Sequence, residues 1–153
     1  MEKNVDVSQK GRRRLKVLVA IEESEISDLV LKRSGQFAKA TDCELTILTV
    51  MEDVVRYPEF SDTVLSSLQQ KQKEKCQEIL DHARSLLNRY GIDCSTSLAT
   101  GHVEDEILRR AEEGQFDVIF IGNRGRGRFK RMLLGSTADA VIRHAHCPVT
   151  VIR

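Results

Sequence analysis

The residues best suited to chemistry lie between Phe116 and Ile142, FDVIFIGNRGRGRFKRMLLGSTADAVI. Gly122, Gly125 and Gly127 are interleaved with Arg124, Arg126 and Arg128; Lys130 and Arg131 follow, with no acid before Gly135. Glycine has no Cβ, so its backbone N–H groups can approach a ligand closely and take φ > 0. Gly135-Ser136-Thr137 then leads into Ala138, Val141, Ile142 and Ala145, spaced as one face of a helix. A helix start leaves N–H groups without intrahelical acceptors and carries a partial positive charge. Glycine-rich backbone, free donors and five cations together suit an anion, most simply a polyphosphate. Ser136 is the expected N-cap, with Asp139 three residues on in capping-box position.

The elements that must position this stretch follow from apolar runs and their breaks. Phe116 to Ile121, Leu15 to Ile21 and Leu45 to Met51 read as strands buried on both faces. Ile92 to Ala99 is more polar, as an edge strand would be, and Pro148 introduces a last strand, Val149 to Ile152. Between them, Ile26 to Ala38 gives a helical face after a Ser24 cap, with Asp42 closing the turn. A longer helix carries Leu65, Leu68, Cys76, Leu80, Leu87 and Tyr90 up to Gly91, its QQKQKEK segment reading as solvated. Val103 to Ala111 forms a third helix ended by Gly114. Residues 52–62 hold Pro58 and little periodicity, the mark of a connection. This β-α alternation predicts an α/β fold: a single-domain, doubly wound, five-stranded parallel sheet with right-handed crossovers. In the order 3-2-1-4-5 the strand order reverses between strands one and four, where ligands bind in such folds. Glu22-Glu23-Ser24 would then face Gly122 to Gly127 across one crevice.

Gly122-x-x-Gly125, nine residues, then Gly135-Ser136 resembles the ATP-binding signature of the universal stress protein family, and HCPVTVIR at 146–153 resembles its closing strand. The resemblance runs over residues 15–153, leaving 1–14 as a basic, flexible tail. It implies a Rossmann-like fold of the adenine nucleotide alpha hydrolase-like kind and an ATP-binding regulatory or stress-response module with little or no turnover. It also implies a homodimer through Val149–Ile152. The nucleotide-binding residues carried over are Ala20, Glu22, Val50, Ile121, Gly122, Arg124, Gly125, Gly135, Ser136 and Thr137. Val50 would offer backbone to adenine, Gly122 would lie under the ribose, and Gly125, Gly135, Ser136 and Thr137 would hold phosphates. At Glu22 this chain departs from the family's usual aspartate by one methylene. A glutamate there could hold Mg²⁺ together with phosphate oxygens, or could serve only as a cap or a solvated charge.

Composition narrows the alternatives. The chain has 153 residues, no Trp and a formal charge of +1. Six basic and two acidic residues fall in 1–16, so 17–153 carries 18 basic against 21 acidic, which argues against a general nucleic-acid binder. No apolar run reaches membrane-spanning length and no secretory signal opens the chain. Cys43, Cys76, Cys94 and Cys147 lie far apart without metal spacing, so reduced, buried thiols in a cytoplasmic protein are expected. There is no GK[ST] Walker motif and no GxGxxG after the first strand. Ser97-Leu98-Ala99 offers no acceptor aspartate for a receiver domain. His82, His102, His144 and His146 have no partner implied by the sequence. Two further readings stand beside the ATP-binding module: a slow Mg²⁺-dependent ATPase, and a nucleotide-free protein or RNA interaction module.

Overall fold

A computed structural model describes residues 13–123 and 134–153. Within them the elements are β1 (Lys16–Ala20), α1 (Ser27–Thr41), β2 (Glu44–Met51), α2 (Asp62–Arg89) and β3 (Cys94–Thr100). They continue with α3 (Val103–Glu113), β4 (Val118–Gly122), α4 (Ser136–His144) and β5 (Val149–Ile152). The five strands form one sheet in the order β3-β2-β1-β4-β5, all neighbours parallel. This is the predicted doubly wound α/β topology, with the polar β3 on one edge.

Each inner strand is apolar on both faces because helices cover both. Val17, Val19 and Ile21 point to the face packed by Val30 and Leu31 of α1 and Leu80 of α2, where Phe37 meets Phe120 at 5.3 Å between ring centroids. Leu18 and Ala20 point the other way, with Leu48, Ile119 and Ile121, against Ile107 of α3 and Val141 of α4. Period-2 alternation thus builds two cores from one run of residues.

Local chemistry explains most boundaries, and several depart from expectation. Asp42 takes the left-handed conformation at φ 52° and closes α1, its N–H donating to Ala38 O. The α1 N-cap is Ile26, not Ser24; Ser24 instead accepts at its carbonyl from Ser27 N–H at 3.2 Å. Ser61 caps α2, its hydroxyl accepting from Val64 N–H at 3.4 Å. Leu68 and Tyr90, expected in the apolar stripe of α2, are exposed, as is Ile142 of α4. β4 begins at Val118, two residues later than the apolar run. Phe116 instead tucks beneath the sheet, and Asp117 ties the strand to β1: its N–H donates to Lys16 O and its Oδ2 accepts from Lys16 N–H, both at 2.8 Å. Arg13 adds an ion pair to Asp117 at 2.7 Å, and Arg14 one to Asp42 at 3.0 Å. Residues 1–12 of the expected tail lie outside the described residues.

Candidate functional site

The site is built where β1, β2 and β4 end side by side. Parallel pairing sets Ala20 opposite both Leu48 and Ile121, so the three strands deliver their C-terminal residues to one edge. Past that edge the chain stays ordered by polar contacts. Ile21 N–H donates to Leu48 O at 3.0 Å and Thr49 Oγ1 to Ile21 O at 3.1 Å. Ser27 Oγ donates to Glu22 O at 2.6 Å and lies 3.0 Å from Ser24 Oγ. The turn of residues 22–26 is thereby fixed without a helix cap.

Between these ends, α4 and the near faces of α2 and α3 lies a cavity of about 420 Å³. Ala20, Glu22, Val50 and Ile121 line it, and so do Gly122, Gly135, Ser136 and Thr137. Eight of the ten residues expected at the site therefore share one cavity. The other two, Arg124 and Gly125, lie outside the described residues together with Arg126, Gly127, Arg128, Lys130 and Arg131.

The donors sit at the start of α4. Gly135, not Ser136, is its N-cap, and no side chain caps it; Ser136 and Asp139 do not form the expected capping box. The first helical bond is Asp139 N–H to Gly135 O at 2.9 Å, so the N–H groups of Ser136, Thr137 and Ala138 precede the ladder and have no helical acceptor. Gly135 has φ −74° and ψ 157°, open to any residue, so backbone strain does not require glycine there. What glycine does is leave the first-turn donors unoccupied, where Ser, Thr or Asp would fold back on them.

Aliphatic groups supply the rest of the wall: Val50 and Leu48 from β2, Val103 and Ile107 from α3, Ile79 from α2. Charge enters from Glu22, Glu52 and Lys75, the last ion-paired to Glu23 at 2.5 Å. Sequence reasoning missed Thr49, Asn123, Gln72 and Lys75, all on this cavity. The QQKQKEK segment of α2, expected to be solvated, turns Gln72 and Lys75 toward the site, and Gln72 Nε2 donates to Glu52 O at 3.0 Å. Helical spacing carries Gln72, Lys75, Cys76 and Ile79 on one stripe, but its mixed polarity hides it from a count of apolar positions.

The remaining candidates stay apart. Among the described residues no three His, Cys, Asp or Glu side chains cluster as a metal site. His82 pairs with Asp28 on the surface at 2.9 Å. Cys43 and Cys76 are buried as expected, whereas Cys94 and Cys147 are only half-buried. Burial pushes both of these thiols above the ordinary cysteine range, away from the reactive thiolate.

A 3-2-1-4-5 parallel sheet with strand ends and an open helix N-terminus around one crevice defines a doubly wound α/β protein with a crevice at the switch point, where folds of this class bind ligands. A profile of the Universal stress protein family matches residues 14–153. Universal stress protein MJ0531 of Methanocaldococcus jannaschii is 32% identical over 141 residues, 90% of this chain and 81% of that protein. Universal stress protein YxiE of Bacillus subtilis is 32% identical over 145 residues, 90% of this chain and 98% of that protein. The chain belongs to the universal stress protein family. Among solved structures, the universal stress protein UspA of Lactobacillus plantarum superposes with a TM-score of 0.83 at 24% identity, covering 93% of this chain and 99% of its own. Three further structures are a universal stress protein in complex with cAMP, one from Archaeoglobus fulgidus in complex with dAMP, and one from Arabidopsis thaliana with AMP bound. They match at TM-scores of 0.62–0.70 and 22–24% identity, over 90–91% of this chain and 90–98% of theirs. Among the described residues no helix is long and apolar enough to cross a membrane.

Proposed function

We propose that this chain is an ATP-binding regulatory module of the stress response, with little or no catalytic turnover. The observation that carries the reading is the meeting of eight expected site residues around one cavity, with the unoccupied first turn of α4 opening into it. That universal stress proteins of the same fold hold cAMP, dAMP and AMP supports adenine nucleotide as the ligand class. Val50 backbone and the aliphatic wall receive adenine, with Ala20 and Ile121 beneath it. Gly122 lies under the ribose, and Gly135, Ser136 and Thr137 hold phosphate, joined by Arg124 and Gly125. Charge-assisted hydrogen bonds contribute about 1.5–3 kcal/mol each, so three of them with base burial are compatible with micromolar affinity, about 8 kcal/mol.

The carboxylate of Glu22, on the cavity wall, is chemically suited to Mg²⁺, which favours one or two carboxylates alongside phosphate oxygens. When bound, the ion would neutralise phosphate charge. The same reading takes the protein as a cytoplasmic homodimer paired through β5, the outer strand of the sheet, whose residues are all partly exposed.

Calorimetry with ATP in the presence of Mg²⁺, together with identification of nucleotide released on heat denaturation of the purified protein, tests the reading. Heat saturating at micromolar ATP is expected, abolished in the Gly125→Val/Gly135→Val double variant with an unchanged circular dichroism spectrum. Neither heat nor a melting shift at millimolar ATP, a concentration that reveals affinities as weak as about 4 kcal/mol, overturns it.

A further inference from the structure

Asn123 follows the last residue of β4 and is 7% exposed. Both of its backbone polar groups are engaged within the protein: N–H donates to Ile152 O at 2.8 Å, and the carbonyl accepts from Gly135 N–H at 2.6 Å. Its side-chain amide makes no hydrogen bond to any described residue, yet Asn123 lines the cavity. No fully enclosed side-chain N or O among the described residues lacks a partner, so the amide is open to the cavity, to which it offers two donors and an acceptor.

Strand register says where the amide lies. Ile119 and Ile121 pack on the α3/α4 face, and the Asn123 N–H bond to β5 continues the ladder by two residues, so Asn123 extends on that same face. Ala138 of α4 packs there too. The amide therefore stands beside the first turn of α4, where the N–H groups of Ser136, Thr137 and Ala138 also lack helical acceptors.

We infer that the Asn123 side-chain amide is a ligand-contact group that donates to a phosphoryl oxygen, completing a donor cluster with the α4 N-terminus. The inference rests on the nucleotide reading and deepens it by assigning to the phosphate a side chain at a variable position of the glycine signature, between Gly122 and Gly125. An amide N–H₂ donates to an oxyanion; a carboxylate in its place can only accept and adds like charge.

Calorimetry on the full chain with ATP, AMP and adenosine tests it, with melting curves of the unliganded variants alongside. Asn123→Asp should weaken ATP and AMP on the order of 100-fold, while adenosine changes less than about threefold. Asn123→Ser, a shorter donor that keeps the site neutral, should weaken ATP about tenfold and serves as the second reading if the aspartate variant folds poorly. Equal losses for adenosine and ATP, or ATP affinity unchanged in both variants, would overturn the assignment of the amide while leaving nucleotide binding intact. No binding of ATP or AMP by the wild type would instead remove the nucleotide reading and this inference with it.

Discussion

The backbone N–H of Gly135 donates to the carbonyl of Asn123 at 2.6 Å. This one bond joins the end of β4 to the start of α4. It holds the helix N-terminus against the strand ends with no side-chain cap, and the first-turn donors therefore face the cavity unoccupied.

An N-cap side chain at 135 should trade binding for stability. Gly135→Asp, at φ −74° and ψ 157°, fits the backbone and can accept from the first-turn N–H groups. Stability should rise by a few tenths of a kcal/mol. ATP affinity should fall by about tenfold or more, since the donors are taken and a negative charge stands at the phosphate site. Thermal melting and calorimetry on the same sample read both effects; unchanged affinity would place the phosphate elsewhere.

Lys75 should matter to the ligand more than to the fold. Its ion pair with Glu23 leaves both side chains about half exposed, at 51% and 53%, where such pairs contribute about 0–1 kcal/mol. Lys75→Met should leave the urea midpoint nearly unchanged yet weaken ATP a few-fold at low salt, with the difference shrinking as ionic strength rises. A salt-independent loss would indicate a contact other than charge.

Gly114 should be a stability position with no effect on the site. A Cβ there would lie 2.3 Å from the ring of Phe116, which is buried, and 2.9 Å from Arg110 O. Gly114→Ala must displace that ring and should destabilise by about 1–3 kcal/mol. Nucleotide affinity at temperatures well below the melting point should be unchanged.

Asp117 should give the fold part of its acid sensitivity. The N–H of Lys16, followed by Arg13, holds its carboxyl below the ordinary aspartate range. A folded-state value below the unfolded one, about 3.9, contributes stability above that pH and loses it as pH falls through the folded value. Asp117→Asn should therefore lower the urea midpoint at pH 7, and the gap to wild type should close as pH falls below about 4. A gap that widens in acid would contradict the linkage.

Dimerisation should depend on backbone donors of β5. Pro148 O and Ile152 O accept from β4, so by alternation Thr150 turns its polar groups inward while Val149 and Val151 turn theirs to the open edge. Val151→Pro removes an outward donor without touching the β4 ladder, and light scattering should shift from dimer toward monomer. A monomeric wild type at tens of micromolar, an ordinary concentration for weak association, would exclude the β5 dimer.

Much of this protein is determined by the sequence alone. Apolar runs such as Leu15–Ile21 and Leu45–Met51 point to a sheet covered on both faces, and alternation with helices to parallel crossovers, although Leu15 itself precedes β1 and is exposed. The glycines, the five cations and the helix start between Gly122 and Thr137 point to an anion before any coordinate is known. Edges of elements are less legible, because Ser24 and Ser136 are good capping residues by type yet the helices begin beside them, at turns set by Ser27 bonding Glu22 O and Gly135 bonding Asn123 O. Only the tertiary structure decides which polar residues reach the cavity. Asn123 reads as one more loop residue and Lys75 as one more solvated lysine, until strand register turns the first under α4 and the α2 stripe carries the second to the rim. Apolar burial follows a period that a sequence displays. The aim of a single polar side chain depends on distant neighbours, and no local pattern records it.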